Sequence, residues 1–118
     1  MGSHRMERVN EVMRRELAMI IPKVVPMQKI LLTITGVEVK SDLKSADVFL
    51  SFLGGTVKEQ EAAFDAINQK RGEIQHLVSR RVTMKFTPAL HFKVDHSVER
   101  GTRLLQILDE LEGSAENS

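Results

Sequence analysis

The spacing of apolar residues predicts a long amphipathic helix at the start of the chain. Between Met6 and Ile21, apolar side chains recur close to a period of 3.6, as in a helix with one buried face. Pro22 is expected to end this helix, because the residue before a proline avoids the helical region. The expected buried face consists of Val9, Val12, Met13, Leu17, Ile20 and Ile21.

A period of two residues then predicts two strands joined by a turn. Residues 29–40 alternate until Gly36, where the parity slips, and a glycine at such a slip indicates a β-bulge. The sequence SDLK (41–44) predicts a turn, and residues 45–54 alternate again. The alternating apolar positions are Ile30, Leu32 and Ile34 in the first strand, and Ala46, Val48, Leu50 and Phe52 in the second.

Two shorter helices follow, separated by a glycine. Thr56 and Glu59 have the spacing of a capping box, so a helix is expected to begin there. Its apolar positions stop near Gly72, which would cost roughly 1 kcal/mol relative to alanine inside a helix. Beyond Gly72 the helical spacing resumes, and it predicts a second helix with Ile74, Leu77, Val78 and Val82.

Residues 83–95 predict a third strand, whose core side would hold Met84, Phe86, Pro88, Leu90, Phe92 and Val94. Pro88 cannot donate a ladder hydrogen bond, so this strand is expected to be an edge strand or to be interrupted there. Ser97 is a suitable N-cap for a last helix, which Gly113 would close. We expect a domain over 6–112, with a disordered tail or a vector remnant at 1–5 and a disordered tail at 113–118.

This order of elements predicts an α+β fold, with a three-stranded sheet covered on one face by helices. The first six elements, α-β-β-α-α-β, follow the type II order of the KH fold, which usually binds single-stranded RNA. At 118 residues the chain is long enough for one domain. It has no cysteine and no apolar run that could span a bilayer, so we expect a cytoplasmic protein that does not enter the membrane.

Positive charge is concentrated in the middle of the chain. The net charge is only +1, but residues 104–118 contain four acidic residues and no Lys or Arg. Residues 70–93 contain six Lys and Arg residues and one Glu. An even, solvating spread of charge would not give this concentration, which favours an anionic partner for the segment.

Three separated motifs resemble the ribosome-binding factor A family. They are ITGVEVKSDLKSADVF (34–49), the glycine-broken helix INQKRGEIQHL (67–77) and TPALHFKVDHSVERGTRL (87–104), and the opening RVNEVMRREL (8–17) is also typical of that family. The resemblance covers roughly residues 7–112. It implies a KH-like domain without enzymatic activity or cofactor that binds 16S rRNA in free or immature 30S subunits. The resemblance further implies a part in late maturation of the subunit, including processing of the 5′ end of its rRNA. It also implies a role in cold adaptation and a functional link to an assembly GTPase. We expect a monomer.

The resemblance also implies a kinked helix pair, with an Ala-x-Gly signature, in place of the Gly-x-x-Gly loop of other KH domains. This chain has Lys70 at the alanine position, and lysine is a good helix former. Before the first strand, where the family tends to have Asp-Pro-Arg, it has Val25-Pro26-Met27. No RNA-facing role is therefore carried over to that loop.

The candidate RNA-binding residues are Lys70, Arg71, Gly72, His76, Arg80, Arg81 and Lys85. On a helical projection Arg80 and His76 point away from the apolar face, whereas Arg81 falls within it and is the poorer phosphate ligand. Lys85, His91 and Lys93 share the strand face opposite the core. Such cations could neutralise phosphates, although each could also be part of an ordinary solvated surface.

One other function competes with RNA binding. A protein-interaction module could bind a partner protein or a second copy of itself through the exposed face of the sheet, including Phe49 and Leu53, and this binding would be nearly insensitive to salt. A metal site is not expected, because His91 and His96 are five residues apart and would point to opposite faces of a strand. No catalytic or metal-binding residues are predicted.

Overall fold

The computed structural model describes residues 3–82 and 87–95. It contains α1 (Ser3–Val24), β1 (Leu31–Val39), β2 (Ser45–Leu53), α2 (Val57–Gln69), α3 (Arg71–Arg81) and β3 (Ala89–Val94). This order confirms the predicted α-β-β-α-α-β arrangement. The expected C-terminal helix, and the start of the expected third strand with Met84, Lys85 and Phe86, lie outside the described residues.

The three strands form one mixed sheet with β2 in the centre. β1 pairs with β2 in antiparallel orientation, and β3 pairs with β2 in parallel orientation on the other side. Among the described strands β3 lies at the edge of the sheet, which confirms the expectation of an edge strand. It begins at Ala89, directly after Pro88, and residues 83–86 lie outside the described residues. α1 packs on β1 and against α3, which places the helices over one face of the sheet.

A β-bulge interrupts β1 at the predicted position. Ile34 pairs with Leu50 and Gly36 pairs with Phe49, so Thr35 is the extra residue. Ile34 is buried before the bulge and Val37 after it, which is the slip of parity seen in the sequence. The Thr35 hydroxyl donates to the carboxylate of Asp95 at 2.7 Å, so the bulge ties β1 to the residue that follows β3.

α1 differs from its prediction at both ends. It begins at Ser3 rather than Met6, and Pro22 lies inside the helix instead of ending it. The buried side chains of Ile21 and Val25 continue the apolar face past the proline, and the amide of Val25 donates to the carbonyl of Ile21 at 2.8 Å. This packing outweighs the one hydrogen bond that Pro22 cannot donate. Val12 was wrongly assigned to the buried face, since it is 44% exposed.

The hydrophobic core lies between the helices and the covered face of the sheet. The predicted apolar face of β2 is buried there, as are Leu90 and Phe92 of β3, while Val94 is partly buried. Side chains of α2 and α3 complete the core. The residues with no exposed surface include Met13, Leu17, Ile21, Val48, Leu50, Ile67, Ile74, Val78 and Leu90. Ile67 of α2 and Ile74 of α3 are both fully buried, so the core holds both arms of the helix pair in place.

The turn before α2 contains the predicted capping box. The Thr56 hydroxyl accepts from the amide of Glu59 at 3.1 Å, and the Glu59 carboxylate accepts from the amide of Thr56 at 3.2 Å. Gly54 has a φ of +86°, and a Cβ at this position would lie 2.4 Å from the carbonyl oxygen of Lys29. Both conformation and space therefore require glycine at position 54.

Candidate nucleic-acid interface

α2 and α3 are separated by a single residue, Lys70. Its backbone (φ −96°, ψ 11°) leaves the helical region, while its amide still donates to the carbonyls of Ala66 and Ile67. Its own carbonyl accepts from the amide of Ile74 at 2.9 Å. Hydrogen bonding thus continues across the junction. This confirms the kinked helix pair, and it shows that lysine at the alanine position of the family signature is compatible with the kink.

Gly72 lies in the first turn of α3, two residues after the kink. Its φ is not positive, and an added Cβ would meet no atom within 4 Å. The kink therefore does not depend on glycine at this position, either sterically or conformationally. The consequence of the missing side chain is an open strip of backbone on the surface of α3.

Several of the predicted cations surround this strip. Lys70, Arg71, His76 and Arg80 are all exposed. Lys70 lies 3.8 Å from the carboxylate of Glu73, a long contact that leaves most of its charge to the solvent. Within the two described ranges, neither Arg71 nor Arg80 forms an ion pair shorter than 4 Å. The exposed surface of α3 is therefore positive.

Arg81 has a different environment from the other cations. Its Nε lies 3.0 Å from a carboxylate oxygen of Glu16, so it forms an ion pair between α3 and α1. The Glu16 side chain is only 20% exposed, which reduces the screening of this pair by water. Arg81 thus has a structural role in the packing of two helices, and we place it at the edge of the candidate interface.

A shallow cavity of about 410 Å³ lies beside Gly72. Three of the predicted residues, Arg71, Gly72 and His76, line it. The structure adds three polar residues that the sequence prediction missed, namely Gln75, Ser79 and Thr87. Gln75 and Ser79 follow Arg71 at helical spacing, which could have identified them. Thr87 reaches the cavity only through the tertiary fold.

Gln75 connects the cavity to the sheet. Its side-chain oxygen accepts from the amide of Leu90 at 3.2 Å, which fixes the side chain between α3 and the start of β3. The oxygen of the Gln75 amide already accepts from a backbone amide, so the part of the side chain that remains available to a ligand is the NH₂, which can only donate. A fixed donor beside Arg71 suits an acceptor such as a phosphate oxygen or the edge of a base.

Of the remaining predicted cations, Lys85 lies outside the described residues, and Lys93 does not join this surface. Lys93 is on the open face of the sheet, where its Nζ lies 3.3 Å from the buried carboxylate of Asp47. Lys40 approaches the same carboxylate at 2.8 Å, and this bond is the main cause that lowers the pKa of Asp47. Lys93 thus helps to neutralise a buried acid.

Two further kinds of feature are absent from the described part of the chain. None of its helices is long and apolar enough to cross a bilayer. Residues 3–82 and 87–95 contain no group of three His, Asp or Glu side chains arranged to hold a metal ion.

Known proteins resemble this chain in both sequence and fold. The Opitutus terrae ribosome-binding factor A is 37% identical over 110 residues, which covers 93% of this chain and 89% of that relative. The protein of the same name from Staphylococcus carnosus is also 37% identical, covering 94% of this chain and 96% of the relative.

Solved structures agree with these relatives. The crystal structure of ribosome-binding factor A from Thermus thermophilus superimposes with a TM-score of 0.63 at 23% identity, covering 75% of this chain and 94% of that one. A second match, with a TM-score of 0.62 and 23% identity, is a homology model of the Thermus thermophilus protein as fitted into a cryo-electron microscopy map of its complex with the 30S subunit; it covers 72% of this chain and 89% of that one.

The family model for ribosome-binding factor A matches residues 5–108, which is most of the chain. The match includes both arms of the kinked helix pair and the whole described sheet. This coverage, together with the identity to the full-length relatives, shows that the chain belongs to the ribosome-binding factor A family.

Proposed function

We propose that this protein is an assembly factor of the small ribosomal subunit that binds 16S rRNA in free or immature 30S particles. It would assist the late folding of that rRNA and the processing of its 5′ end, and contribute to growth in the cold. The observation that carries the proposal is the exposed positive surface of α3, in a member of the ribosome-binding factor A family. A relative of similar fold has been fitted into a 30S complex, which supports the same partner.

The proposed contact centres on the first turn of α3. Lys70, the N-cap residue, makes no side-chain hydrogen bond to the amides of that turn. The N-terminus of a helix attracts anions through such amides and through its dipole. Arg71 adds a full charge beside them, and Gly72 lets a ligand backbone approach without meeting a side chain. One phosphate of the rRNA is expected to bind here, with Arg80 contacting another further along the helix.

Recognition is expected to depend on backbone charge and shape more than on base stacking. The chain has no Trp or Tyr. Phe52 and Phe92 are buried, and Phe64 packs edge-on against Phe52 with their ring centres 6.5 Å apart. Stacking on aromatic rings, the usual device for holding single strands, is thus unavailable on the described surface of α3. The fixed amide of Gln75 and the side chains of His76 and Ser79 can add polar contacts to a nearby nucleotide.

In this mechanism the protein acts by holding rRNA and performs no bond chemistry. A bound segment of 16S rRNA would be kept from premature pairing until its neighbours had folded. Release would then need an added source of free energy, for which an assembly GTPase is suited. The protein would act as a monomer, because one α3 surface supplies the whole contact.

Sedimentation of the purified protein with immature and mature small subunits tests this proposal. The wild-type protein should pellet preferentially with immature particles. A variant with Arg71→Ala and Arg80→Ala should lose most of that binding, whereas Lys23→Ala with Lys58→Ala removes the same charge elsewhere and should retain it. Equal binding by both variants would show that the interface does not lie on α3. Absence of wild-type binding to either particle would contradict the proposed function.

The alternative function, a protein-interaction module, has one supporting observation. On the open face of the sheet Leu31 pairs with Leu53, and these side chains are 63% and 38% exposed. Phe49 on the same face is only partly exposed. If this face carries the main activity, binding to the subunit should be nearly independent of salt and should be lost in a Leu31→Ser, Leu53→Ser variant.

A further inference from the structure

An apolar groove lies at the end of the sheet where the chain leaves β3. It has a volume of about 230 Å³. Phe52, Phe64 and Val94 form its floor together with Val57, which is 71% exposed. Two carboxylates of α2, Glu61 and Asp65, stand at its rim. The groove is therefore apolar inside and negative along one side.

The unequal lengths of β2 and β3 create this groove. β3 ends at Val94, which pairs with Leu50, and the amide of Asp95 donates to the carbonyl of Leu50 at 2.7 Å. β2 continues for three more residues to Leu53. Within the described strands, this last part of β2 has no neighbour on the β3 side. The next residues of the chain therefore start beside the open groove.

The sequence that follows matches the groove in polarity and charge. Written as a helix, residues 97–112 place Leu104, Ile107, Leu108 and Leu111 on one face. Arg100 falls on the same face, one turn before Leu104, and Arg103 lies beside that face. These cations are three residues apart, and Glu61 and Asp65 are four apart, so both pairs have the spacing of one helical turn. A helix of this length would extend for roughly 24 Å, at 1.5 Å per residue, which is slightly longer than α2.

We propose that residues 97–112 dock as an amphipathic helix in this groove of their own chain. Their leucines cover Phe52, Val57, Phe64 and Val94, and Arg100 and Arg103 pair with Glu61 and Asp65. Because the segment starts two residues after Asp95, its effective concentration at the groove is high and the docking is intramolecular. The proposal does not depend on RNA binding. The groove adjoins the end of β3, and the α3 cavity adjoins its start, so the two sites lie at opposite ends of that strand.

A competing location for the same segment is the positive surface of α3. Its second half contains Asp109, Glu110 and Glu112, which could be attracted to Arg71 and Arg80. Docking there would cover the candidate RNA interface and leave the groove empty. The two locations can be distinguished by distance, because they are separated by the length of β3.

Spin labels provide the test, because the chain has no native cysteine. Three full-length variants would each carry one label: Ala62→Cys beside the groove, Ser79→Cys on α3, and Ser41→Cys in the turn at the other end of the sheet. The amide signals of residues 97–112 should be selectively broadened by the label at position 62 and not by the other two. Broadening from position 79 alone, or from none of the labels, would overturn the proposal. So would broadening of an unlabelled isotopic copy by a labelled one, which would identify a second molecule as the occupant.

A pair of matched variants tests the contact itself. Leu104→Ser with Leu108→Ser removes two apolar residues four positions apart, and it should abolish the broadening from position 62. Gln106→Ser with Glu110→Ser introduces two serines at the same spacing on the opposite, polar face, and it should leave the broadening intact. Both variants lie outside the described domain, so the signals of β1, β2 and β3 report whether the fold is preserved. Retained broadening in the leucine variant would contradict an apolar contact with the groove.

Discussion

At the scale of single residues, Gly72 is a position where the fold does not require glycine, although it lies in the candidate interface. Glycine in a helix costs about 0.5–1 kcal/mol relative to alanine, because it loses more backbone freedom on folding. At Gly72 neither the backbone conformation nor a close neighbour offsets this cost. Gly54 is the opposite case, since both its positive φ and the carbonyl of Lys29 require glycine. We attribute Gly72 to ligand approach.

The variant Gly72→Ala should therefore change stability and binding in opposite directions. We expect the free energy of unfolding to rise by roughly 0.5–1 kcal/mol, because the unfolded chain becomes less flexible. Affinity for the small subunit should fall, because the new Cβ would occupy the space through which we propose that the phosphate backbone approaches. Urea unfolding and subunit pelleting measure the two effects.

A matched control for this experiment is Gly36→Ala in β1. An added Cβ there also meets no atom within 4 Å, and Gly36 is remote from α3. This variant should bind as the wild type does. If Gly72→Ala is more stable and binds equally well, the close approach of RNA at Gly72 is disproved.

Asp47 gives a prediction about pH. Its side chain is buried on the open face of the sheet, and the ion pairs with Lys40 and Lys93 hold its pKa below the ordinary value. A lowered pKa in the folded state stabilises the fold above the unfolded pKa of about 3.9, and this contribution is lost as the pH falls towards the folded value. Asp47→Asn should therefore cost about 1 kcal/mol at neutral pH, since both lysines are half exposed.

Urea unfolding at neutral pH and near pH 3 checks this expectation. The difference between the wild type and Asp47→Asn should shrink at the lower pH. Glu38→Gln, on the neighbouring strand and directly opposite Asp47, removes a charge that is exposed and should have little effect at either pH. A difference that stays constant with pH would show that the cost comes from packing and not from charge.

At the scale of elements, the turn between β1 and β2 contains a residue in an unfavourable conformation. Leu43 has a φ of 61°, and the left-handed region costs a residue with a side chain about 1–2 kcal/mol. Its side chain is 48% exposed, so little packing would be lost on replacement. Leu43→Gly should raise the free energy of unfolding by roughly 0.5–1 kcal/mol in a urea titration.

Asp42→Gly, one residue earlier, is the matched control for this turn. It adds the same flexibility, but it removes the carboxylate oxygen that accepts from the amide of Lys44 at 2.9 Å. We expect this variant to be less stable than the wild type. A loss of stability in Leu43→Gly as well would mean that backbone conformation does not limit the turn.

Regular patterns made most elements predictable, and tertiary contacts explain the exceptions. The period of two placed β1 and β2, and the parity slip at Gly36 located the bulge to within one residue of Thr35. Pro88 correctly indicated an edge strand, whereas Pro22 wrongly indicated the end of α1. A proline that cannot donate a ladder hydrogen bond suits an edge strand, but at Pro22 the burial of Ile21 and Val25 outweighed the unfavourable backbone. Local rules therefore failed where packing on the sheet opposed them.

At the scale of the whole molecule, the sequence predicted the charge of the site better than its shape. The positive segment and the kink could be identified along the chain, and helical spacing indicated that Arg80 is exposed. The contact of Arg81 with Glu16 joins residues 65 positions apart, and no pattern within α3 reveals it. The same holds for Thr87 in the cavity and for Lys93 beside Asp47. Each of these contacts depends on how separate elements pack together.

The central claim, that α3 binds the phosphate backbone of small-subunit rRNA, predicts a specific dependence on salt. Each cation that neutralises a phosphate releases counterions, so the affinity should fall steeply as the salt concentration rises. The most direct measurement is the affinity for immature small subunits across a salt series, for the wild type, the Arg71→Ala, Arg80→Ala variant and the Lys23→Ala, Lys58→Ala control. The slope of log affinity against log salt should become shallower by roughly 1–2 in the α3 variant alone, at about 0.7 for each phosphate that is no longer neutralised. Equal slopes for all three proteins would contradict the claim.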